Sequence, residues 1–212
     1  MTSNGGEPMR SERDLLGDVA VPAAALYGAQ TRRAVLNFPT DGRQRTLGDF
    51  PVLVRGLVFC KEAAALANVR EALLEPEIGH AIVSACRVLL ERENGAAFPV
   101  HCLHGGGGTS ANMNANEVLA NLAEESLGGK RGEYRQVHPN DHVNLNQSTN
   151  DVYPTACHIA VILQWPDLLQ ALGGLAEELR TQAAALAGTK RIARTCLQDA
   201  CFFRTVKTTA PG

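Results

Sequence analysis

No C-x-x-C pair occurs among the six cysteines, Cys60, Cys86, Cys102, Cys157, Cys196 and Cys201, and no secretory signal is seen ahead of them. Single cysteines in apolar helical contexts read as free thiols of a reducing cytoplasm in preference to disulfides or a cysteine-bound metal. Basic clusters are missing too. Lys and Arg are scattered until the C-terminal stretch and the formal charge is -2, so no nucleic acid is expected as partner. No uninterrupted apolar run approaches membrane-spanning length, and no membrane is expected either. Met1 to Arg13 is polar and interrupted by Gly5-Gly6 and Pro8, without the apolar centre of a signal peptide; it reads as disordered, with residues 1–11 as a tail. Phosphate-loop and dinucleotide signatures are also absent, and no cofactor or metal is expected.

What is present is mostly helical. With 45% hydrophobic residues in 212, the composition suits a globular protein. Asp14-Leu15-Leu16-Gly17, Val21-Pro22-Ala23 and Tyr27-Gly28-Ala29-Gln30-Thr31 read as strand or loop pieces. Leu53, Leu57, Cys60, Ala64 and Ala67 then trace one face of a helix, with Asn68 as its stop. Pro76 suits a first turn, and Ile78, Ala81, Ile82, Ala85 and Leu89 form the next face. Ala115, Val118, Leu119 and Leu122 predict a third helix, closed by Gly128-Gly129. The longest segment starts near Thr155 and carries a stripe at Leu168, Leu172, Leu175, Leu179 and Leu186, which calls for partner helices. Pro166 and Gly173-Gly174 predict a kink or a division there. From Gly188 the pattern stops and coil is expected.

Two polar runs carry the chemistry. The first passes from Gly105-Gly106-Gly107-Gly108 through Thr109-Ser110 into Asn112, Asn114 and Asn116; the second is Asn144 to Asp151, with Ser148-Thr149-Asn150 at its centre. Each leads into a helical segment. A helix N-terminus leaves backbone N–H groups unpaired and favours an anion, and the hydroxyls add donors. Two such sockets suit a dicarboxylate; the other reading is that both are ordinary N-caps. His138 and His142 are four apart, but Pro139 opposes the helix that a shared metal face needs. Asp141 and Asp151 could serve as bases or as caps.

At Gly108-Thr109-Ser110-Ala111-Asn112-Met113-Asn114-Ala115-Asn116-Glu117, at His138-Pro139-Asn140-Asp141-His142-Val143-Asn144 and at Gln147-Ser148-Thr149-Asn150-Asp151-Val152-Tyr153-Pro154-Thr155-Ala156 the chain resembles the aspartase/fumarase superfamily. Asp14-Leu15-Leu16-Gly17, Tyr27-Gly28-Ala29-Gln30-Thr31 and Asn37-Phe38-Pro39 extend the likeness over roughly residues 12 to 200. Ser148-Thr149-Asn150 is the form of its aspartate ammonia-lyase branch, whereas fumarases usually carry Ser-Ser-Asn.

The resemblance implies a mainly α fold with short strands near the N-terminus. Residues 12–150 would form the lyase N-terminal domain, 151–200 the start of a central helical bundle and 201–212 a divergent tail. It implies a cytoplasmic homotetramer that eliminates ammonia from L-aspartate to give fumarate, with fumarate hydratase as the alternative. Gly107, Gly108, Thr109, Ser148, Thr149, Asn150 and Thr195 would bind substrate, and His138, Asn140 and Asp141 match a secondary dicarboxylate site. Two departures stand out. The family's catalytic base, a serine in a mobile glycine-containing loop, has no copy here, and Cys196 stands where the family has His or Gln. The likeness dissolves after Ala200. The chain is thus expected to be an N-terminal fragment that is inactive alone, or one that associates with full-length subunits.

Overall fold

The computed structural model describes residues 7–39, 45–92, 94–103, 107–190, 192, 194, 196–197 and 199, together with the backbone of 191, 193 and 201–204. It is mainly α. The chain divides into two compact units, Met1–Leu163 and Gln164–Gly212.

The first unit opens with an antiparallel hairpin of β1 (Met9–Asp14) and β2 (Gly17–Pro22), Met9 facing Pro22 and Asp14 facing Gly17. Met9 to Arg13 of the stretch whose composition reads as disordered therefore lie in a strand. The Arg10 guanidinium supplies the reason: it donates to the carbonyls of Pro22, Ala23, Ala25 and Tyr27 and pairs with Glu12. A polar strand is held by hydrogen bonds rather than by apolar burial.

Helix α1 (Ala29–Asn37) starts within Tyr27–Thr31, which local sequence reads as loop or strand. Its start has no cap of its own at Gly28; carboxylates from elsewhere in the fold take its amides, as described below. Helices α2 (Pro51–Arg70) and α3 (Pro76–Glu91) each begin on a proline, which needs no amide partner there. α2 does not stop at Asn68. That side chain turns inward instead, donating to the Leu145 carbonyl at 3.0 Å and accepting from Asn146 Nδ2 at 3.0 Å.

Helix α4 (Thr109–Ser126) is the centre of the core. Residues 111–121 are buried without interruption, so the helix is covered on all sides and not along one stripe. Gly128, at φ 84°, lets the Gly129 amide return to the Glu124 carbonyl and close it. Leu57, Ile82, Cys86, Phe98 and Val137 share one core cluster with its own Val118 and Leu119.

Helix α5 (Thr149–Ala185) begins a full turn and a half before Thr155 and runs through Pro166 and Gly173-Gly174 without a break. Each proline removes one amide donor, while the Leu- and Ala-rich turns on both sides keep propagation favourable. An 18-residue window of α5 has mean hydropathy 1.3, which by length and composition is enough to cross a membrane. Gln164, Asp167 and Gln170 break up the apolar runs, so inspection for uninterrupted stretches does not show it.

In the second unit Leu168, Leu172, Leu175 and Leu179 are each about half exposed. Beyond α5, β3 (Lys190–Ala193) and β4 (Cys201–Arg204) pair antiparallel with Ile192 opposite Phe202, where coil was expected. Ile, Phe and Cys favour extended backbone, but neither Lys190-Arg191-Ile192-Ala193 nor Cys201-Phe202-Phe203-Arg204 alternates apolar with polar residues, so no strand pattern shows in the sequence.

Candidate functional site

The two polar runs meet. Gly107 and Gly108 adopt φ of 62° and 96°, and Gly108 forms the N-cap of α4 with Thr109 as its first helical residue. Only glycine suits Gly108 twice over: the backbone is left-handed, and a Cβ would run into the Tyr153 ring. The start of α4 is thereby seated on the first turns of α5.

One turn into α4, Asn112 Nδ2 donates to Thr149 Oγ1 at 3.1 Å and to Asn144 Oδ1 at 3.1 Å. Asn116 Nδ2 reaches the same Asn144 oxygen at 3.2 Å. Beneath them, Lys61 Nζ of α2 donates to Asn144 Oδ1 at 3.0 Å and to Gln147 Oε1 at 2.8 Å. The second run is therefore held from behind by three donor side chains, with Ser148 exposed and the Thr149 hydroxyl oxygen turned to Asn112.

Ser148 has a capping role: its Oγ accepts the Asn150 amide at 3.2 Å and its carbonyl receives the amides of Asp151 and Val152. Thr149 is half-buried, whereas Thr109, Ser148 and Asn150 are exposed. Thr195 lies outside the described residues, as do His104, Gly105 and Gly106.

His138, Asn140 and Asp141 sit on a separate tight turn, Pro139–Val143. His138 Nδ1 accepts the Asn140 and Asp141 amides at 3.3 and 3.2 Å, and His142 Nδ1 accepts the His138 amide at 2.9 Å. Both imidazoles are thus tied to backbone. Among the described residues no three His, Cys, Asp or Glu side chains gather as a metal site would need. The turn delivers Asn144 to the cluster, and its approach from α4 is fixed by Glu124, which accepts the amides of Gln136 and Val137 at 2.9 and 2.8 Å.

Asn112, Asn116, Asn144 and Gln147 fall within the two polar runs, whereas Lys61 lies outside them. One signal for Lys61 was available: it stands one turn after Leu57 and one before Ala65, a charge on the buried face of a helix. Burial pushes its pKa down to about 7. A cavity of about 400 Å3 lies elsewhere, lined among others by Pro51, Arg55, Leu90 and Arg92, and includes none of the sequence-derived site residues.

A hydroxyl and amide cluster at two helix starts, backed by an ammonium, is a donor array for an anion. The model of a family described as "Lyase" matches residues 17–205. The chain belongs to the aspartase/fumarase superfamily of lyases. It is 46% identical over 192 residues to a class II fumarate hydratase of Nitrosomonas europaea, covering 90% of this chain and 41% of that one. An aspartate ammonia-lyase of Pseudomonas aeruginosa is likewise 46% identical, with 90% and 40% covered. Among solved structures, the native fumarate lyase:delta crystallin of Brucella melitensis superposes with a TM-score of 0.84 at 43% identity, covering 93% of this chain and 45% of that chain. This superfamily member spans about two-fifths of the length of the curated relatives it matches.

Proposed function

We propose that the chain carries the carboxylate-holding face of a dicarboxylate lyase whose substrate is L-aspartate, converted reversibly to fumarate and ammonia. The observation that carries the reading is the 3.1 Å bond from Asn112 to Thr149, which joins two hydroxyl-bearing helix starts into one donor array. In such an elimination a proton leaves the carbon beside one carboxylate, its electron pair forms the double bond, and the C–N bond breaks to release ammonia. The carboxylate beside the deprotonated carbon gains negative charge on the way. Thr109, Ser148 and Thr149, with the N–H groups of their helix starts, are the donors for that charge. Asn150 and Thr195 are the residues for the amino group.

Residues 1–212 hold no match to the family's serine loop, so the chain alone is expected to bind substrate without turning it over. The leucine stripe of α5 is offered to partner helices of a homotetramer. A fumarate hydratase is the second reading, favoured by the identity to the Nitrosomonas europaea enzyme. Fumarate release from L-aspartate, followed by its ultraviolet absorbance, tests these claims. Turnover by the purified chain would overturn its inactivity, and titration heats with L-malate and fumarate but not with L-aspartate would move the assignment to the hydratase branch. Co-purification with a full-length relative tests a role as an associating subunit.

A further inference from the structure

Lys61 is wholly buried, with 0% of its surface exposed, and among the described residues no carboxylate forms an ion pair with it. Its two acceptors, Asn144 Oδ1 and Gln147 Oε1, are neutral amide oxygens. The ionisable groups that act on it are Cys60 beside it on α2 and Cys86 on α3, and burial raises the pKa of both thiols, so neither supplies a negative charge. Glu62, next on α2, is turned to Arg87 at 3.4 Å. From α4 and from residues 144–147 the cluster receives only the amides Asn112, Asn116, Asn144 and Gln147. A buried cation without a counterion is costly, and a fold keeps one where something else supplies the negative charge.

The hydrogen-bond polarity says where that charge would sit. A protonated lysine donates and cannot accept, which obliges Asn144 to present its oxygen. Asn144 Oδ1 then obliges Asn112 to present its Nδ2, and Asn112 Nδ2 makes Thr149 Oγ1 an acceptor. The Thr149 hydroxyl proton is left to point away from α4. Each member of the relay is set by the one before it, beginning at Lys61.

We propose that Lys61 is a positioning residue of the site: acting through Asn144 and Asn112 it turns the Thr149 hydroxyl proton toward a bound dianion, and seating of that dianion draws a proton from solvent onto Lys61. This rests on the dicarboxylate reading. The proton adds to the Nζ lone pair and no other bond changes. Below neutral pH Lys61 is already charged and binding takes up little; just above, where burial holds it largely neutral, uptake is greatest.

Isothermal titration of fumarate into the whole chain at about pH 7.5, in two buffers of different ionisation enthalpy, counts the protons directly. Uptake of roughly half a proton per fumarate is expected for a lysine whose pKa rises by about one unit on binding. Lys61→Arg keeps charge and donor polarity and should retain binding while losing the uptake; Lys61→Met should bind about tenfold more weakly. Fumarate binding with no proton uptake, or uptake that persists in Lys61→Arg, overturns the proposal and leaves the dicarboxylate reading standing. Absence of heat with fumarate, L-malate and L-aspartate overturns both. The count is made on the unaltered chain and does not depend on whether either variant folds.

Discussion

The Gly28 backbone N–H donates to Glu117 Oε2 at 2.9 Å across 89 residues of sequence. The same carboxylate takes the amides of Gln30 at 2.8 Å and Thr31 at 3.0 Å, so the start of α1 is capped by a side chain of α4. Burial pushes the Glu117 pKa up, and the hydrogen bonds from Thr31, Gln30 and Gly28 oppose it. Two turns further along α4, Glu124 does the same for the amides of Arg135, Gln136 and Val137. α4 therefore clamps two segments with carboxylates, one ahead of both polar runs in the chain and one between them.

Glu117→Gln replaces an acceptor with a group half of which donates, leaving buried amides unpaired. It is expected to lower stability by about 3 kcal/mol, the upper end of the range for an unsatisfied buried group. Urea unfolding against exposed Glu133→Gln, which should stay within about 0.5 kcal/mol of the parent, makes the comparison.

Gly107 and Gly108 separate backbone strain from steric clash. A Cβ at Gly107 meets nothing within 4 Å, so Gly107→Ala should cost only the left-handed backbone, about 1 kcal/mol. Gly108→Ala adds collision with the Tyr153 ring and should cost about 3 kcal/mol in total. Thermal unfolding of the two variants should rank them in that order.

Asn112→Ala removes the bond that joins the two runs while leaving both helix starts in place. Fumarate affinity is expected to fall about tenfold, equivalent to about 1.4 kcal/mol, with a smaller effect on unfolding. Titration calorimetry reads the first and urea unfolding the second.

Lys61 gives stability a definite pH slope. In the unfolded chain it holds its proton up to its ordinary value of 10.5, and in the folded chain only to about 7. Between the two, the unfolded state binds more protons, so raising the pH stabilises the fold, and below pH 7 the cost of burying the ammonium is borne in full. The unfolding free energy of the parent minus that of Lys61→Met should rise by up to about 1.4 kcal/mol per pH unit above neutrality. A flat difference between about pH 7 and pH 8.5 would contradict this.

The exposed leucines of α5 are expected to drive self-association. Light scattering after size exclusion should show concentration-dependent oligomers for the parent and a smaller species for a Leu172→Glu, Leu179→Glu double variant, whose side chains are 51% and 58% exposed in the parent.

Periodicity and punctuation by themselves determined α2, α3 and the body of α4. Spacings of three and four residues, a proline at a first turn and a glycine at a last turn act between neighbours a turn apart, so they are written locally. The two hydroxyl-bearing helix starts were legible for the same reason. Tertiary structure alone decided what those polar residues meet. The ordering of β1 by Arg10, the capping of α1 by Glu117 and the inward turn of Asn68 all depend on partners far away in sequence. So does the burial of Lys61 behind Asn144. A buried polar group must find a partner, but its sequence neighbours do not say which one; that choice is made only when the chain has folded.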